Sequence, residues 1–121
     1  MYMKEDSIIQ KKCFDFAVRA VNAYKFIAES RKEYVLSKQF LRSATSIGAN
    51  VEEALGAQSK ADFYSKLSIA YKEARETSYW IILMKETGYF NQSETDSLLK
   101  YLEEILKIIG KIQLTLKSRN S

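Results

Sequence analysis

"LRSATSIGANVEEALGAQSKADFYSKL", residues 41–67, joins two helical patterns through a short glycine-containing break. Its first half consists largely of small side chains, so a helix there offers little bulk of its own. Ala44 and Gly48 lie four residues apart on one helical face, and Ala70 and Ala74 repeat this spacing on the next pattern. Small residues in such positions allow helix axes to approach closely. The stretch therefore predicts tightly packed helices, within the chain and between copies of it.

The remaining composition is that of one globular domain. The chain has 121 residues, of which 46% are hydrophobic and 28% are charged. Its longest uncharged apolar run, "YWIILM" at 79–84, is far shorter than the roughly 20 residues of a membrane span. The opening "MYMKED" leads into a charged amphipathic segment and does not resemble a secretion signal. Cys13 has no second cysteine with which to form an intrachain disulfide. From these observations together, we expect a cytoplasmic protein with no membrane partner.

Four long amphipathic patterns predict four helices, near 8–30, 38–55, 60–87 and 94–117. Proline is absent, and Gly56 and Gly88 follow long patterns where a left-handed C-terminal cap favours glycine. Candidate N-terminal caps precede the patterns: Ser7 with Gln10, Ser37, Ser59 with Asp62, and Ser93 with Asp96. Long helices with short connections favour a single all-α domain over 1–121, an antiparallel up-down-up-down four-helix bundle.

Each pattern has an apolar stripe at helical spacing, which predicts the bundle core. The stripe residues are Ile9, Cys13, Phe16, Ala17, Ala20, Tyr24 and Ile27 in the first helix; Phe40, Leu41, Ala44, Ile47, Gly48, Val51 and Leu55 in the second; Phe63, Leu67, Ala70, Ala74 and Ile81 in the third; and Leu98, Leu102, Ile105, Leu106, Ile109 and Leu116 in the fourth.

Further apolar rows lie away from these stripes, on a flank of the first helix, on the back of the third and along the fourth. They comprise Phe14, Val18 and Val21; Ile69, Trp80 and Leu83; and Tyr101, Ile108 and Ile112. The outer face of the second helix adds a low surface of Arg42, Ser46, Ala49, Asn50 and Glu53. A tryptophan on the back of a helix is typical of an interface anchor. We interpret these residues as the interface of a homo-oligomer; the alternative is a wide core with ordinary surface residues.

Two long motifs carry a family resemblance: "SKQFLRSATSIGANVEEA" at 37–54 and "SKADFYSKLSIAYKEARETSYW" at 59–80. With "FDFAVRAVNAYKFI" at 14–27 and "LMKETGYF" at 83–90, they resemble the four-helix bundle proteins encoded by intervening sequences within bacterial 23S ribosomal RNA genes. The last helix matches only in general character.

The resemblance implies an up-and-down four-helix subunit assembled as a ring-shaped homopentamer. A related branch comprises accessory proteins of diversity-generating retroelements, which associate with a reverse transcriptase and with nucleic acid. The resemblance supplies no catalytic residue. The positions that match its motifs are expected to be structural or interface residues: Arg42, Ser46, Asn50, Glu53, Asp62, Phe63, Lys66, Glu73, Arg75, Glu76 and Trp80.

The residues themselves give no support for catalysis or for a metal or other cofactor. The chain has no histidine, which removes the commonest general base and the commonest metal ligand. Cys13 lies on the inner stripe, where a buried thiol is the expected role. Adjacent acid pairs such as Glu52–Glu53 and Glu103–Glu104 diverge around a helix instead of facing one another. We therefore expect a protein that is not an enzyme.

Two functions remain open. The first is an oligomeric accessory protein that binds RNA or DNA through phosphates, since the net charge is +4 and a ring would repeat any basic stripe. The candidate contacts are Lys12, Arg19, Lys38, Arg42, Lys100, Lys107 and Lys111, with Tyr2, Tyr34 or Tyr89 as candidate stacking residues. The alternative is a protein-interaction scaffold with no nucleic-acid role, in which these lysines are ordinary solvated residues. The sequence does not identify the partner protein.

Overall fold

Four α-helices build the described part of the chain. The computed structural model describes residues 4–120, without the side chains at positions 4, 5, 7, 119 and 120. The helices are α1 (Lys4–Arg31), α2 (Leu36–Leu55), α3 (Lys60–Glu86) and α4 (Gln92–Asn120). Residues 4–120 contain no β-strand. The all-α prediction is confirmed, and each predicted helix lies within a few residues of its observed bounds.

Every helix packs against two neighbours. Contacts join α1 to α2, α2 to α3, α3 to α4 and α4 to α1, whereas the diagonal pairs α1–α3 and α2–α4 have no Cα atoms within 8 Å of each other among the described residues. The most extensive contact is between α2 and α3. This closed circuit of neighbours is a four-helix bundle with its core along the central axis.

The predicted stripes form most of that core. The buried stripe residues are Ile9, Cys13, Phe16, Ala20, Ile27, Phe40, Ala44, Ile47, Val51, Phe63, Leu67, Ala70, Ala74, Ile81, Leu98, Leu102, Ile105, Ile109 and Leu116. The remaining stripe residues are only half-buried: Ala17, Tyr24, Leu41, Gly48, Leu55 and Leu106. The period of 3.6 residues therefore identified the inward direction of all four helices correctly.

The core also contains residues outside the predicted stripes: Ala54, Met84, Phe90 and Ile112. Phe90 comes from the α3–α4 connection and meets Phe40 edge-on, with ring centroids 5.4 Å apart. The connection therefore closes one end of the bundle with an aromatic side chain. Ile112, predicted to lie on an exposed flank, is only 2% exposed, so that placement was wrong.

A buried hydroxyl pair links α2 to α3. The Thr77 Oγ1 hydroxyl lies 2.9 Å from Ser43 Oγ and 2.7 Å from the Glu73 carbonyl, and Ser43 Oγ lies 3.2 Å from the Phe40 carbonyl. Both side chains are fully buried. Two such short side chains can meet only where the helices approach closely, so part of the small-residue stretch serves the α2–α3 contact.

Gly48 serves a different contact from the predicted one. A Cβ built on Gly48 would lie 3.4 Å from the Cβ of Cys13 and 3.6 Å from the Cys13 backbone. The glycine therefore faces α1, whereas the sequence had grouped it with Ala70 and Ala74 on α3. With no side chain at this position, the backbones of α1 and α2 lie close together, and a Cβ would fit only at contact distance from Cys13.

Two helices begin at capping residues that can be read from sequence. Ser59 Oγ accepts the backbone N–H of Asp62 at 3.0 Å, which confirms the predicted start of α3. For α4 the predicted cap, Ser93, was wrong. The backbone N–H of Glu94 donates instead to Asn91 Oδ1 at 2.7 Å, so the helix begins two residues earlier.

The start of α2 is held by Glu33. Its carboxylate accepts the backbone N–H groups of Val35, Leu36 and Ser37 at distances of 2.7–3.0 Å. Ser37, the predicted cap, lies inside the first turn and donates its hydroxyl to the Glu33 carbonyl at 2.6 Å. Ser7 also lies inside a helix, because α1 already begins at position 4. Both predicted caps were therefore wrong.

The end of α3 is the predicted glycine cap. Gly88 has a φ of +88°, in the left-handed region. The Tyr89 N–H donates to the Met84 carbonyl at 2.8 Å and the Gly88 N–H donates to the Lys85 carbonyl at 3.1 Å, the paired bonds of a Schellman motif. Gly56, with a φ of −96°, ends α2 without a left-handed residue, so that part of the prediction was wrong.

Candidate functional site

Two apolar faces are exposed on opposite sides of the bundle. The α1 face consists of Ile8, Phe14 and Val18, and the α3 face consists of Ile69, Tyr79 and Ile82. Phe14 is 68% exposed and Tyr79 is 60% exposed. Because α1 and α3 are diagonal partners in the bundle, one chain cannot cover either face with the other. Phe14, Val18 and Ile69 were among the predicted interface residues; Ile8, Tyr79 and Ile82 were not.

The α1 face continues into a groove between α1 and α2. The groove has a volume of about 170 Å³ and a floor of small side chains. It is lined by Gln10, Cys13, Phe14, Ala17, Thr45, Gly48, Ala49 and Glu52. The structure thus brings two predicted interface residues, Phe14 and Ala49, to the same groove. The Phe14 ring lies at the groove that the small side chains leave open.

The other apolar rows are less exposed than predicted. Val21 and Leu83 are half-buried, and Trp80, Tyr101 and Ile108 are half-buried against the core of their own subunit. Helical periodicity places a Cα correctly but does not show how far a long side chain bends back toward the core. These residues contribute less free apolar surface than the sequence indicated.

Trp80 belongs to a charged cluster on the α2–α3 surface. Its indole Nε1 donates to Glu76 Oε2 at 2.9 Å. The Arg42 guanidinium contacts the carboxylate of the same Glu76 and lies 3.4 Å from Glu73 Oε2. The Trp80 bond, followed by Arg42, lowers the pKa of the Glu76 carboxyl, and Glu76 in turn raises the pKa of Arg42. The charge on Arg42 is therefore matched within the subunit.

The remaining polar interface candidates also bond within their own subunit. Glu53 pairs with Lys66 across α2 and α3 at 3.3 Å. Asn50 Nδ2 donates to the Ser46 carbonyl at 2.8 Å, and Ser46 Oγ donates to the Arg42 carbonyl at 2.6 Å. Several residues that match the family motifs thus form polar contacts between α2 and α3.

The predicted basic residues do not form one continuous free stripe. Lys12 pairs with Glu104 at 2.8 Å and lies 4.8 Å from the centre of the Tyr101 ring. Hydrogen bonding to Glu104 raises the pKa of Lys12, and the same bond lowers the pKa of Glu104. Lys107 pairs with Glu103 at 3.1 Å on the solvent side of α4. Three further candidates are solvent-exposed: Lys38, Lys100 and Lys111.

Arg19 lies apart from those lysines, in a cleft at one end of the bundle. This α1–α4 cleft has a volume of about 460 Å³. It is lined by Arg19, Asn22, Ala23 and Phe26 of α1, by Tyr89 and Asn91 of the α3–α4 connection, and by Glu94 and Leu98 of α4. The sequence predicted Arg19 and Tyr89 separately as nucleic-acid contacts but gave no sign that they share a cleft, because the lining comes from three segments. Tyr34 lies elsewhere, exposed in the α1–α2 connection, and Tyr2 lies outside the described residues.

Cys13, the single thiol, is buried at the α1–α2 contact. Desolvation and the nearby Glu52 raise the pKa of the Cys13 thiol to about 12. The thiolate that would act as a nucleophile or bind a metal is therefore disfavoured at neutral pH. Among the side chains that the structure describes, no three of His, Cys, Asp or Glu are grouped closely enough to hold a metal ion. In the same part of the chain, no helix combines the length and apolar character of a transmembrane segment.

Known proteins resemble this chain over almost its whole length. The family model described as 23S rRNA-intervening sequence protein matches residues 5–111. The chain belongs to the 23S rRNA-intervening sequence protein family. A solved structure of a protein of unknown function from the S23 ribosomal protein family of Bacteroides thetaiotaomicron VPI-5482 is 49% identical and superposes with a TM-score of 0.89. The match covers 90% of this chain and 97% of that one. No curated protein matches the sequence.

Membership of the 23S rRNA-intervening sequence protein family agrees with the predicted resemblance and with the four-helix architecture. The solved relative shows that the same architecture recurs in a protein of similar length. The function of that relative is unknown, so it does not indicate an activity for this chain.

Proposed function

We propose that the protein is a non-enzymatic ring-shaped homo-oligomer, a pentamer by family resemblance, that serves as a nucleic-acid-binding accessory protein. The observation that carries the assembly is the pair of exposed apolar faces on α1 and α3. Large exposed apolar surface is unfavourable in water and is typical of interaction sites. The proposed compartment is the cytoplasm. The single cysteine of the chain is buried and forms no disulfide, so the protein gains no stability from an oxidising compartment.

The placement of these faces favours a ring over a simple dimer. A two-fold dimer buries one patch against the same patch of its partner, and it would leave the other face exposed. Joining the α1 face of one copy to the α3 face of the next buries both, and repetition of this contact closes into a ring when the rotation is suitable. The groove beside Phe14 offers room for an aliphatic side chain of the neighbouring α3 face.

Contacts across the bundle support the antiparallel, up-down-up-down course of each subunit. Residues 10 and 13 of α1 meet residues 52 and 48 of α2, so the residue numbers run in opposite directions. The α2–α3 pairs 42–76 and 53–66 behave in the same way. Short connections between consecutive helices require the same arrangement.

The assembly is tested by light scattering coupled to size-exclusion chromatography at micromolar concentration. We expect an oligomer from the unmodified protein, and smaller species from Phe14→Glu and Ile82→Glu, because each variant places a charge in a face that must lose water. Leu114→Glu is the matched control, since Leu114 is as exposed as Phe14 but lies on α4 outside both faces. A monomeric unmodified protein contradicts the assembly.

The nucleic-acid part of the proposal is supported by the net charge of +4 and by the exposed lysines of α4. A closed ring repeats each exposed lysine in every subunit, so a weak monomer patch becomes a stronger collective field. Contacts of this kind are to phosphates, with little sequence preference and strong salt dependence.

Binding is tested by titrating protein into labelled RNA and DNA between low and physiological salt. Lys107→Glu and Lys111→Glu, singly and together, are expected to weaken binding and to reduce the salt slope by roughly 0.7–0.9 for each phosphate that is no longer neutralised. Lys60→Glu makes the same charge change at the start of α3 and serves as the control. Failure of the unmodified protein to bind at low salt rules out this part of the proposal.

One observation favours the alternative, a protein-interaction scaffold with no nucleic-acid role. The candidate cations Lys12, Arg42 and Lys107 are already paired with carboxylates of the same subunit. Paired surface charges attract phosphates weakly, because the fields of the two opposite charges largely cancel beyond the distance between them. An oligomer that binds neither RNA nor DNA at low salt supports the scaffold.

A further inference from the structure

The α1–α4 cleft contains an arginine whose charge is not matched within the described chain. Among the side chains and backbone groups that the structure describes, no acceptor lies within hydrogen-bonding or salt-bridge distance of the Arg19 guanidinium, although Arg19 is half-buried. Lys12 and Arg42, by contrast, pair with carboxylates. A partly desolvated guanidinium without a partner is a ready site for a bidentate anion such as phosphate.

Aromatic rings stand beside that charge. Phe26 is 64% exposed although it is one of the largest apolar side chains, and Tyr89 lies in the same cleft. The Arg31 guanidinium lies 4.9 Å from the centre of the Tyr89 ring and donates to the Gly88 carbonyl at 3.0 Å. These contacts hold Tyr89 in place, so the cleft offers a fixed ring and an exposed one to a flat ligand. Base–aromatic stacking uses surfaces of this kind.

The α1–α4 cleft is also lined by polar side chains other than Arg19, which can accept or donate hydrogen bonds. Glu94 lines the cleft with Arg19, yet no Arg19 nitrogen lies within 4.0 Å of the Glu94 carboxylate. The two opposite charges are thus held apart in one cleft, together with the amides of Asn22 and Asn91. A matching ligand has an anion at one end and amino groups at the other, because a carboxylate accepts hydrogen bonds but repels phosphate.

We propose that the α1–α4 cleft binds one nucleotide unit, with its phosphate on Arg19, its base between Phe26 and Tyr89, and an amino edge of the base toward Glu94. The volume of about 460 Å³ is within the usual range for small-ligand sites, roughly 300–1,000 Å³. The acceptor character of Glu94 favours cytosine, which has an exocyclic amino group, over uracil, which has none. This inference deepens the nucleic-acid part of the proposed function, since the nucleotide is either free or part of a single strand.

The direct test uses isotope-labelled full-length protein and follows the side-chain amide and Arg19 Nε signals by NMR during titration. The probes are cytidine 5′-monophosphate, uridine 5′-monophosphate, cytidine, ribose 5-phosphate and the tetranucleotide of cytidine. Cytidine 5′-monophosphate is expected to shift the Arg19, Asn22 and Asn91 signals and to bind more tightly than either of its fragments. Uridine 5′-monophosphate is expected to bind more weakly, and Glu94→Gln to reduce that difference.

Two variants separate the parts of the site. Arg19→Gln is expected to weaken cytidine 5′-monophosphate binding about tenfold, since one charge-assisted hydrogen bond is removed, while leaving cytidine binding unchanged. Phe26→Ala is expected to weaken both by about tenfold, since stacking on one ring is removed. Lys25→Ala is the control, because Lys25 is exposed on α1 but does not line the cleft. Helical content by circular dichroism shows that each variant is folded.

The outcomes separate this inference from the proposed function. Binding of the mononucleotide and the tetranucleotide with equal affinity points to a free nucleotide, and tighter binding of the tetranucleotide points to a strand. Strand binding that depends on Lys107 and Lys111 but not on Arg19 overturns the cleft and leaves the proposed function intact. The free amino acid phenylalanine also has an aromatic ring, an anionic group and an amino group, so it is a competing ligand, and its binding more tightly than cytidine 5′-monophosphate overturns the nucleotide site. The nucleotide site is also overturned if Phe26→Ala changes the number of subunits in the oligomer but not nucleotide binding.

Discussion

Replacing Gly48 with alanine tests the close approach of α1 and α2. In a free helix the change gains about 1 kcal/mol of stability, because glycine has low helix propensity. At this position the new methyl group meets Cys13 Cβ at 3.4 Å and the Cys13 backbone at 3.6 Å, distances of ordinary contact. The methyl group is therefore accommodated in direct contact with Cys13. We expect Gly48→Ala to gain about 0.5 kcal/mol, less than the propensity alone predicts.

Gly110→Ala provides the internal reference. Gly110 is also a helical glycine, and beyond the backbone of its own helix no atom lies within 4 Å of a Cβ built on it. Its replacement should therefore gain the full value of about 1 kcal/mol. Gly48→Val makes the opposite test, because it adds two γ-carbons to a Cβ that already contacts Cys13 of α1. Overpacking of this kind costs about 1–3 kcal/mol, so we expect Gly48→Val to be less stable than the unmodified protein.

The assay is urea denaturation followed by circular dichroism. With slopes of about 1–3 kcal/mol per molar urea, a change of 1 kcal/mol moves the midpoint by roughly 0.3–1 M. Because an oligomer couples unfolding to dissociation, each curve is repeated after tenfold dilution and variants are compared at equal concentration. Equal stability of Gly48→Val and Gly48→Ala would contradict close packing here, since the helices would then have room to spare at this contact.

Three single residues give further predictions. The pKa of Glu33 is lowered: partial burial opposes the shift, but hydrogen bonds from the α2 N-terminus outweigh it. Its stabilisation is therefore complete above the unfolded pKa of about 4.3 and is lost as the pH falls through the lower folded value. Urea midpoints of the unmodified protein and Glu33→Gln should then converge on acidification; a constant difference would contradict this role. Burial raises the pKa of Cys13, so the folded protein should react with a thiol reagent at pH 8 far more slowly than the urea-unfolded protein, whereas equal rates would show an accessible thiol. Ser59→Ala should lower stability by about 1 kcal/mol through loss of the α3 cap, and Ser93→Ala, at the rejected cap position, should change the urea midpoint little.

The fold is predictable from the sequence because its apolar residues repeat with helical periodicity. Residues such as Phe16, Ile47 and Ile105 repeat at helical spacing and are fully buried, because one face of each helix must lose water for the chain to fold. The end of α3 was equally readable, since only glycine adopts the φ of +88° at Gly88 easily.

The wrong predictions concern helix caps and side-chain orientations, where more than one local conformation is compatible with the sequence. Asn91 and Ser93 can both cap a helix, and the sequence alone does not show which oxygen reaches the orphan N–H groups. Glu33 caps α2 from the preceding connection, outside the usual pattern of a serine or aspartate at the first position. Trp80 lies on the predicted helix face, but its indole turns toward Glu76 and the core, which depends on rotamer and not on spacing.

The candidate site was predictable only in pieces. Exposure of Phe14 and Val18 follows from their angle to the core stripe, and the structure confirms it. The α1–α4 cleft depends on how the α3–α4 connection folds against α1, which no helical pattern encodes. The ring and its nucleic-acid partner remain predictions, because both concern contacts beyond one chain.

The burial of Cys13 beneath Gly48 makes this chain a convenient background for spectroscopic labelling. A cysteine introduced at an exposed position such as Leu114 can be coupled to a maleimide dye while the native sulfur stays unmodified, so no cysteine-free variant has to be made first. Stepwise photobleaching of such singly labelled molecules would then count subunits one particle at a time.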